Sequence, residues 1–150
     1  ITLVSFGGEV CKIESKAISF QYRNAIFEPG ILAEVVLRFK RGSPDECARN
    51  IDKALTRRHN SQELELPSAG CAFKNPNCLA AGRLIDEVGL KGSRIGDAQV
   101  SNKHANFIVN RGNATCVEVL SLMEHVNRQV AKRMGICLEP EIRVLGECFY

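Results

Sequence analysis

Side chains that can bind anions or transfer protons are concentrated in four short stretches of this 150-residue sequence. These stretches are residues 22–27, 67–76, 103–107 and 138–143. They offer a guanidinium at Arg23, a thiol at Cys71 and a carboxylate at Glu141. A guanidinium binds a carboxylate through a two-point fork, whereas a thiol or a carboxyl group can deliver a proton to a reacting atom. Together these groups could form a site that binds an anionic substrate and protonates it.

Each of these side chains also has an ordinary structural explanation. An isolated arginine is commonly solvated, and a lone cysteine is more often a small buried residue than a reactive thiol. Lys74 and Asn75 could simply lead into the next helix, and His104 could be a structural histidine at the start of a strand. Arg143 could form an ion pair with a neighbouring glutamate. The residue types alone therefore leave the nature of the site open.

Charge and hydropathy exclude two classes of partner. Lysine and arginine number 20 against 17 acidic residues, and no run of like charge collects the excess, so we expect no nucleic-acid binding. Even the apolar run 31–37 contains Glu34, so we expect no membrane span. The 7 cysteines show neither CxxC nor a zinc-type Cys/His spacing, which predicts reduced thiols, no metal site and a cytoplasmic location.

Turn and capping signals predict the elements that must position these side chains. Gly7-Gly8 lies between two β-rich runs, 1–6 and 9–13, which predicts a hairpin. A strand is expected over 31–40, followed by a helix over 43–58 that begins with Ser-Pro-Asp-Glu. The apolar face of that helix would comprise Cys47, Ile51, Ala54 and Leu55.

The second half of the chain predicts two further helices with strands between and after them. A helix is expected over 77–89 and extended structure over 95–110. A capping box at Thr115 opens a long amphipathic helix that Gly135 ends, and a final strand is expected over 136–145. Because strands and helices alternate without a βαβ rhythm, the pattern favours an α+β fold, with a mixed or antiparallel sheet covered by about three helices.

Taken in order, the four stretches resemble the carboxy-terminal part of the UDP-N-acetylenolpyruvoylglucosamine reductase (MurB) family. Residues 22–27 and 70–76 are similar to the family patterns YRxSxF and GSxFKNP, and the other two stretches resemble its KHANF-like and LEPEVR-like strands. Further similarity over 81–96 extends the resemblance to essentially the whole chain. It implies a flavoenzyme that uses NADPH to reduce bound FAD. The hydride then passes to UDP-N-acetylglucosamine enolpyruvate, giving UDP-N-acetylmuramate for peptidoglycan synthesis.

The resemblance also implies roles for individual residues. Arg23 would contact the enolpyruvyl carboxylate, Cys71 would take the place of the proton-donating serine, and Glu141 would be the catalytic carboxylate. The residues that would line the substrate cleft are Tyr22, Lys74, Asn75, His104 and Arg143. The sequence lacks the longer tyrosine-bearing insertion of one subgroup, so it is similar to the shorter-loop subgroup.

The same resemblance divides the chain into two parts. Residues 1–29 would be terminal strands of an amino-terminal FAD-binding domain, including a hairpin, and 30–150 would be the substrate-binding domain. The main FAD site is expected in that amino-terminal domain, since no GxGxxG or P-loop pattern occurs here. Two alternatives stay open: a flavin-free nucleotide-sugar-binding module without catalysis, and a cysteine hydrolase that pairs Cys71 with His104.

Overall fold

The computed structural model describes residues 1–22, 24–76 and 79–146. The chain divides into two compact units, Ile1–Pro44 and Asp45–Tyr150. This division falls later than residue 29, where the resemblance places the end of the FAD-binding part. That functional boundary stays a prediction.

The described residues of the first unit form two small antiparallel sheets. In the larger sheet β1 (Thr2–Val4) lies between β2 (Val10–Lys12) and β5 (Ile31–Glu34), and in the smaller sheet β3 (Ser19–Gln21) pairs with β4 (Asn24–Ile26). The β1–β2 pair confirms the hairpin expected around Gly7-Gly8. The strand expected over 31–40 is shorter than predicted, because β1 offers only three residues for pairing and Glu34 already reaches Thr2 at its end.

Most apolar side chains of the first unit are exposed. Within residues 1–22 and 24–44, Leu3 is the one hydrophobic side chain that is buried. The larger side chains that stay exposed include Phe6, Val10, Phe20, Ile31, Val36 and Phe39. A unit with so small a core buries little of the apolar surface that stabilises a fold.

Over residues 45–76 and 79–146, the second unit combines three helices with one antiparallel sheet. Its helices are α1 (Pro44–Ser61), α2 (Ala81–Glu87) and α3 (Cys116–Met134). Its strands are β6 (Ser68–Cys71), β7 (Arg94–Ile95), β8 (Ala98–Val100) and β9 (Phe107–Asn110), in the order β6-β9-β8-β7. All the strand pairs in the described chain are antiparallel, which confirms the predicted α+β class.

Local signals set the ends of α3 as the sequence predicts. The Thr115 hydroxyl accepts a hydrogen bond from the Glu118 amide at 3.2 Å, and the Glu118 carboxylate accepts one from the Thr115 amide at 2.9 Å. Gly135 ends the helix in the left-handed conformation, with φ of 69°. The buried face of α3 consists of Leu122, Met123, Val126 and Val130. This face joins Phe73, Ile85 and Val100 in the core of the second unit.

Three other predictions were wrong in detail. α2 begins at Ala81, not at 77, and Asn77 and Cys78 lie outside the described residues. No residue of α1 is buried, so its predicted apolar face is exposed. The segment 136–145 is not a strand: it makes a single bridge, Phe73 with Pro140, because the Leu138 amide is bound at 2.7 Å by the Asn127 side chain of α3.

Candidate functional site

The candidate site of the second unit is built on the segment Cys71–Lys74, at the end of β6. On one side of this segment, the Ala72 amide donates to the Asn106 carbonyl at 2.7 Å. On the other side, the Glu141 amide donates to the Ala72 carbonyl at 2.8 Å, and the Lys74 amide donates to the Glu139 carbonyl at 2.8 Å. The segment is therefore held between the start of β9 and the chain around Pro140.

Cys71 is the thiol of this segment and is half-buried. It lies opposite Phe107 in the β6–β9 pair, after an irregularity in register between Ser68 and Cys71. Gly70 precedes it with φ of 82°, a conformation that costs residues with a Cβ atom free energy. The turned backbone places the thiol at the margin of the sheet, where it is partly accessible.

The acidic residues of the last stretch flank the same segment. Lys74 Nζ donates to Glu139 Oε1, and the side chains are 42% and 69% accessible respectively. Glu141 follows Glu139 by two residues, and its amide donates to the Ala72 carbonyl of the same segment. The Oε2 atom of Glu141 is buried. The structure thus brings a buried carboxylate atom and an exposed ion pair to one edge of the second unit.

Asn75 and His104 both make structural contacts. Asn75 Oδ1 accepts a hydrogen bond from the Ala81 amide at 3.0 Å, which satisfies a free donor at the start of α2. His104 Nδ1 accepts from the Asn106 amide at 3.3 Å, so the neutral ring carries its proton on Nε2. Burial, and to a smaller degree the charge of Lys91, hold the pKa of His104 below its usual value. The neutral ring, with Nε2 as donor, is therefore the favoured form.

The other site residues predicted from the sequence are Arg143, Tyr22 and Arg23. Arg143 is exposed, two residues beyond Glu141. Tyr22 is an exposed residue of the first unit, 62% accessible, and Arg23 lies outside the described residues. The convergence of Arg23 with Cys71 and Glu141 stays a prediction.

Sequence reasoning assigned no role to Asn106 and no partner to Lys74. Asn106 is 2% exposed and binds the backbone of the Cys71–Lys74 segment. One signal for it was available, since a polar residue directly before the apolar run Phe107–Val109 must find buried partners. No local pattern relates Lys74 to Glu139, because 65 residues separate them.

The described part of the chain shows no cluster of three or more His, Cys, Asp or Glu side chains able to hold a metal ion. Cys11, Cys47, Cys71 and Cys137 are free thiols. Among the helices at 44–61, 81–87 and 116–134, none is both long and apolar enough to cross a membrane.

The antiparallel sheet with its helices, and the thiol and carboxylate held at its edge, define the second unit as an α+β domain. The chain belongs to the family described as UDP-N-acetylenolpyruvoylglucosamine reductase, C-terminal domain, whose model matches residues 62–145.

Curated relatives and a solved structure agree with this assignment. The chain is 43% identical to UDP-N-acetylenolpyruvoylglucosamine reductase of Geobacter metallireducens, over 93% of this chain and 47% of the relative. It is 41% identical to the same-named protein of Moorella thermoacetica, over 98% of this chain and 49% of the relative. The chain thus spans about half the length of these relatives.

The crystal structure of UDP-N-acetylenolpyruvylglucosamine reductase (MurB) from Thermus caldophilus is similar to the model, with a TM-score of 0.80 and 38% identity. The match covers 97% of this chain and 52% of that chain.

Proposed function

We propose that this chain is the carboxy-terminal, substrate-binding part of an NADPH- and FAD-dependent reductase. The reaction would convert UDP-N-acetylglucosamine enolpyruvate to UDP-N-acetylmuramate, in the synthesis of peptidoglycan precursors. The observation that carries the proposal is the segment Cys71–Lys74, held beside Glu141 within the matched region 62–145. The names of the relatives support the same reaction.

The electronic demands of this reaction explain the need for an arginine. Addition of hydride to an enol ether conjugated to a carboxylate leaves carbanion character on the neighbouring carbon. That charge is stabilised only if it spreads onto the carboxylate oxygens. A guanidinium such as that of Arg23 would bind those oxygens through two hydrogen bonds, which strengthen as the charge develops. This differential binding lowers the barrier.

The second demand is a proton for the carbanion carbon. We propose that Cys71 delivers it, since its thiol is half-buried at the end of β6 and follows a turned glycine. A thiol is more acidic than the hydroxyl of the serine commonly found in the family, so it donates a proton more readily, and it is also open to oxidation. Glu141 would orient the developing enediolate or act as an acid, since its Oε2 atom is buried and its amide is bound to the same segment.

The other cleft residues would bind the nucleotide sugar. Lys74, now bound to Glu139, would turn towards the diphosphate, and Asn75 would contact it through the Nδ2 group that its helix cap does not use. His104 would donate from Nε2, and Tyr22 and Arg143, both exposed, would contact the substrate from their own segments.

FAD would supply the hydride that it receives from NADPH. We assign no described residue to FAD, and its main site is expected in the half of the relatives that this chain does not match. Residues 1–29 would be terminal strands of that amino-terminal domain, a proposal supported by the largely exposed apolar side chains of the first unit. The free thiols fit the expected cytoplasmic location.

The test uses the complete protein, loaded with FAD. With UDP-N-acetylglucosamine enolpyruvate, it should oxidise NADPH and form a product heavier by two hydrogens, detected by mass spectrometry. Binding of the nucleotide sugar without any NADPH oxidation would contradict the proposal and favour a flavin-free binding module. A burst of product from an activated ester, independent of flavin, would favour the cysteine hydrolase.

A further inference from the structure

Asn106 is a buried polar side chain in an otherwise apolar part of the second unit. It is 2% exposed and directly precedes β9, whose Phe107, Ile108 and Val109 are buried. Its side chain makes a two-point contact with one residue: Oδ1 accepts from the Phe73 amide at 3.0 Å, and Nδ2 donates to the Phe73 carbonyl at 2.8 Å. The side-chain amide of Asn106 therefore makes the pair of hydrogen bonds that a backbone residue of a neighbouring strand would make.

This contact supports the part of β6 that the strand ladder does not reach. The register is irregular between Ser68 and Cys71, and β6 ends at Cys71. Beyond Cys71, Asn106 makes two contacts with this part of the chain. The Asn106 carbonyl accepts from the Ala72 amide at 2.7 Å, and the Asn106 side chain binds the backbone of Phe73. Asn106 alone thus provides hydrogen bonds to two successive residues, 72 and 73, that lie beyond the end of the strand ladder.

The contact extends from Asn106 to the candidate catalytic groups. Cys71 directly precedes Ala72, and the Ala72 carbonyl accepts from the Glu141 amide at 2.8 Å. Phe73 forms the bridge with Pro140, next to Glu141. A displacement of residues 72–73 would therefore move the thiol of Cys71 and the carboxylate of Glu141 together.

We propose that Asn106 is a positioning residue for the protonation step, because its side-chain amide sets the placement of Cys71 and Glu141. This inference rests on the proposed function. Rates of proton transfer depend on placement to within about 1 Å, and an error of that size can cost about 100-fold. Flavin reduction by NADPH does not use the placement of Cys71, so it should be independent of Asn106.

The most informative variant is Asn106→Asp, measured in the complete FAD-loaded protein. An ionised carboxylate cannot donate to the Phe73 carbonyl, whereas a protonated carboxyl group makes both contacts of the amide. Burial and the facing carbonyl oxygen disfavour the ionised form. We expect re-oxidation of the reduced flavin by substrate to slow about 100-fold at high pH and to recover as the pH falls. His104, the titratable neighbour, is present in both proteins, so only the change that the new carboxylate causes in its titration enters the ratio of their rates.

Single-turnover rate constants separate positioning from folding, because unfolded protein lowers the amplitude of a phase and leaves its rate constant unchanged. Flavin reduction by NADPH should keep its wild-type rate constant in Asn106→Asp. Asn102 is an exposed asparagine of the same loop, so Asn102→Asp is the matched control. This variant should leave the rate constants of flavin reduction and flavin re-oxidation unchanged. If Asn106→Asp does not fold, Asn106→Ser, which buries no charge, should show the same selective slowing.

A second readout does not depend on turnover. In ionised Asn106→Asp the Phe73 carbonyl loses its donor and faces a carboxylate, which should open this contact, so exchange of the Phe73 amide, relative to wild type at the same pH, should accelerate at high pH and return to the wild-type rate at low pH. Wild-type re-oxidation rates in folded Asn106 variants, or equal slowing of both flavin phases, would overturn the inference. Failure of the wild-type protein to re-oxidise its flavin with substrate would instead overturn the proposed function.

Discussion

Asn75 uses different atoms for its structural role and for its proposed role in substrate binding. Its Oδ1 atom accepts a hydrogen bond from the Ala81 amide at 3.0 Å, whereas Nδ2 is the group proposed to contact the substrate. α2 is only seven residues long, and its N-cap residue, Ala80, has no side-chain acceptor. Loss of an equivalent capping bond costs about 1 kcal/mol. We therefore expect Asn75→Ala to destabilise the second unit by about 1 kcal/mol and to accelerate exchange of the Ala81 amide about 5-fold.

Asn75→Asp is the matched variant, because a carboxylate keeps the acceptor and loses the Nδ2 donors. Negative charge is also favourable near the start of a helix, by about 0.3–1 kcal/mol. The unfolding free energy and the Ala81 exchange rate should therefore stay near wild type, whereas affinity for the nucleotide-sugar diphosphate should fall through charge repulsion. Denaturant unfolding, amide exchange and calorimetric titration with substrate measure the three quantities. An unchanged Ala81 exchange rate in Asn75→Ala would refute the capping argument.

Two further predictions concern contacts of the second unit. A Cβ atom at Gly96, where φ is 53°, would lie 1.7 Å from Glu118 Oε1, so Gly96→Ala should cost about 2–3 kcal/mol from backbone strain and a displaced capping carboxylate. In a Glu118→Ala background the cost should fall to about 1 kcal/mol, and additive losses in denaturant unfolding would contradict the contact. Because burial lowers the pKa of His104, its NMR titration midpoint should lie below ~6.5. Protonation of the His104 ring should therefore destabilise the folded protein as the pH falls through that range. A midpoint above the usual value would refute this burial argument.

The elements that the sequence predicts well are those whose signals are local. The capping box at Thr115 and the left-handed Gly135 enclose α3, and both lie within a turn of the backbone groups that they satisfy. Gly7-Gly8 likewise connects two paired strands of three residues each. In such cases the residues whose interactions end an element lie next to that element in the sequence.

The elements that the sequence predicts poorly depend on distant contacts. The segment 136–145 has the residue types of a strand, but the Asn127 side chain of α3 binds its Leu138 amide. Asn75 caps a helix that begins six residues later, beyond the spacing of an ordinary cap. Within the candidate site, the residue types at Cys71 and Glu141 were readable from the sequence, whereas the clamp formed by Asn106 on Phe73 depends on a contact across 33 residues.

The proposed proton donor is tested most directly by Cys71→Ala and Cys71→Ser in the complete FAD-loaded protein. Both variants should allow NADPH to reduce the flavin at the wild-type rate. Re-oxidation by UDP-N-acetylglucosamine enolpyruvate should slow about 10²–10⁴-fold in Cys71→Ala, the usual contribution of a positioned acid, and should largely persist in Cys71→Ser, which retains a hydroxyl donor. Wild-type re-oxidation in Cys71→Ala would contradict the assignment of Cys71 as the proton donor.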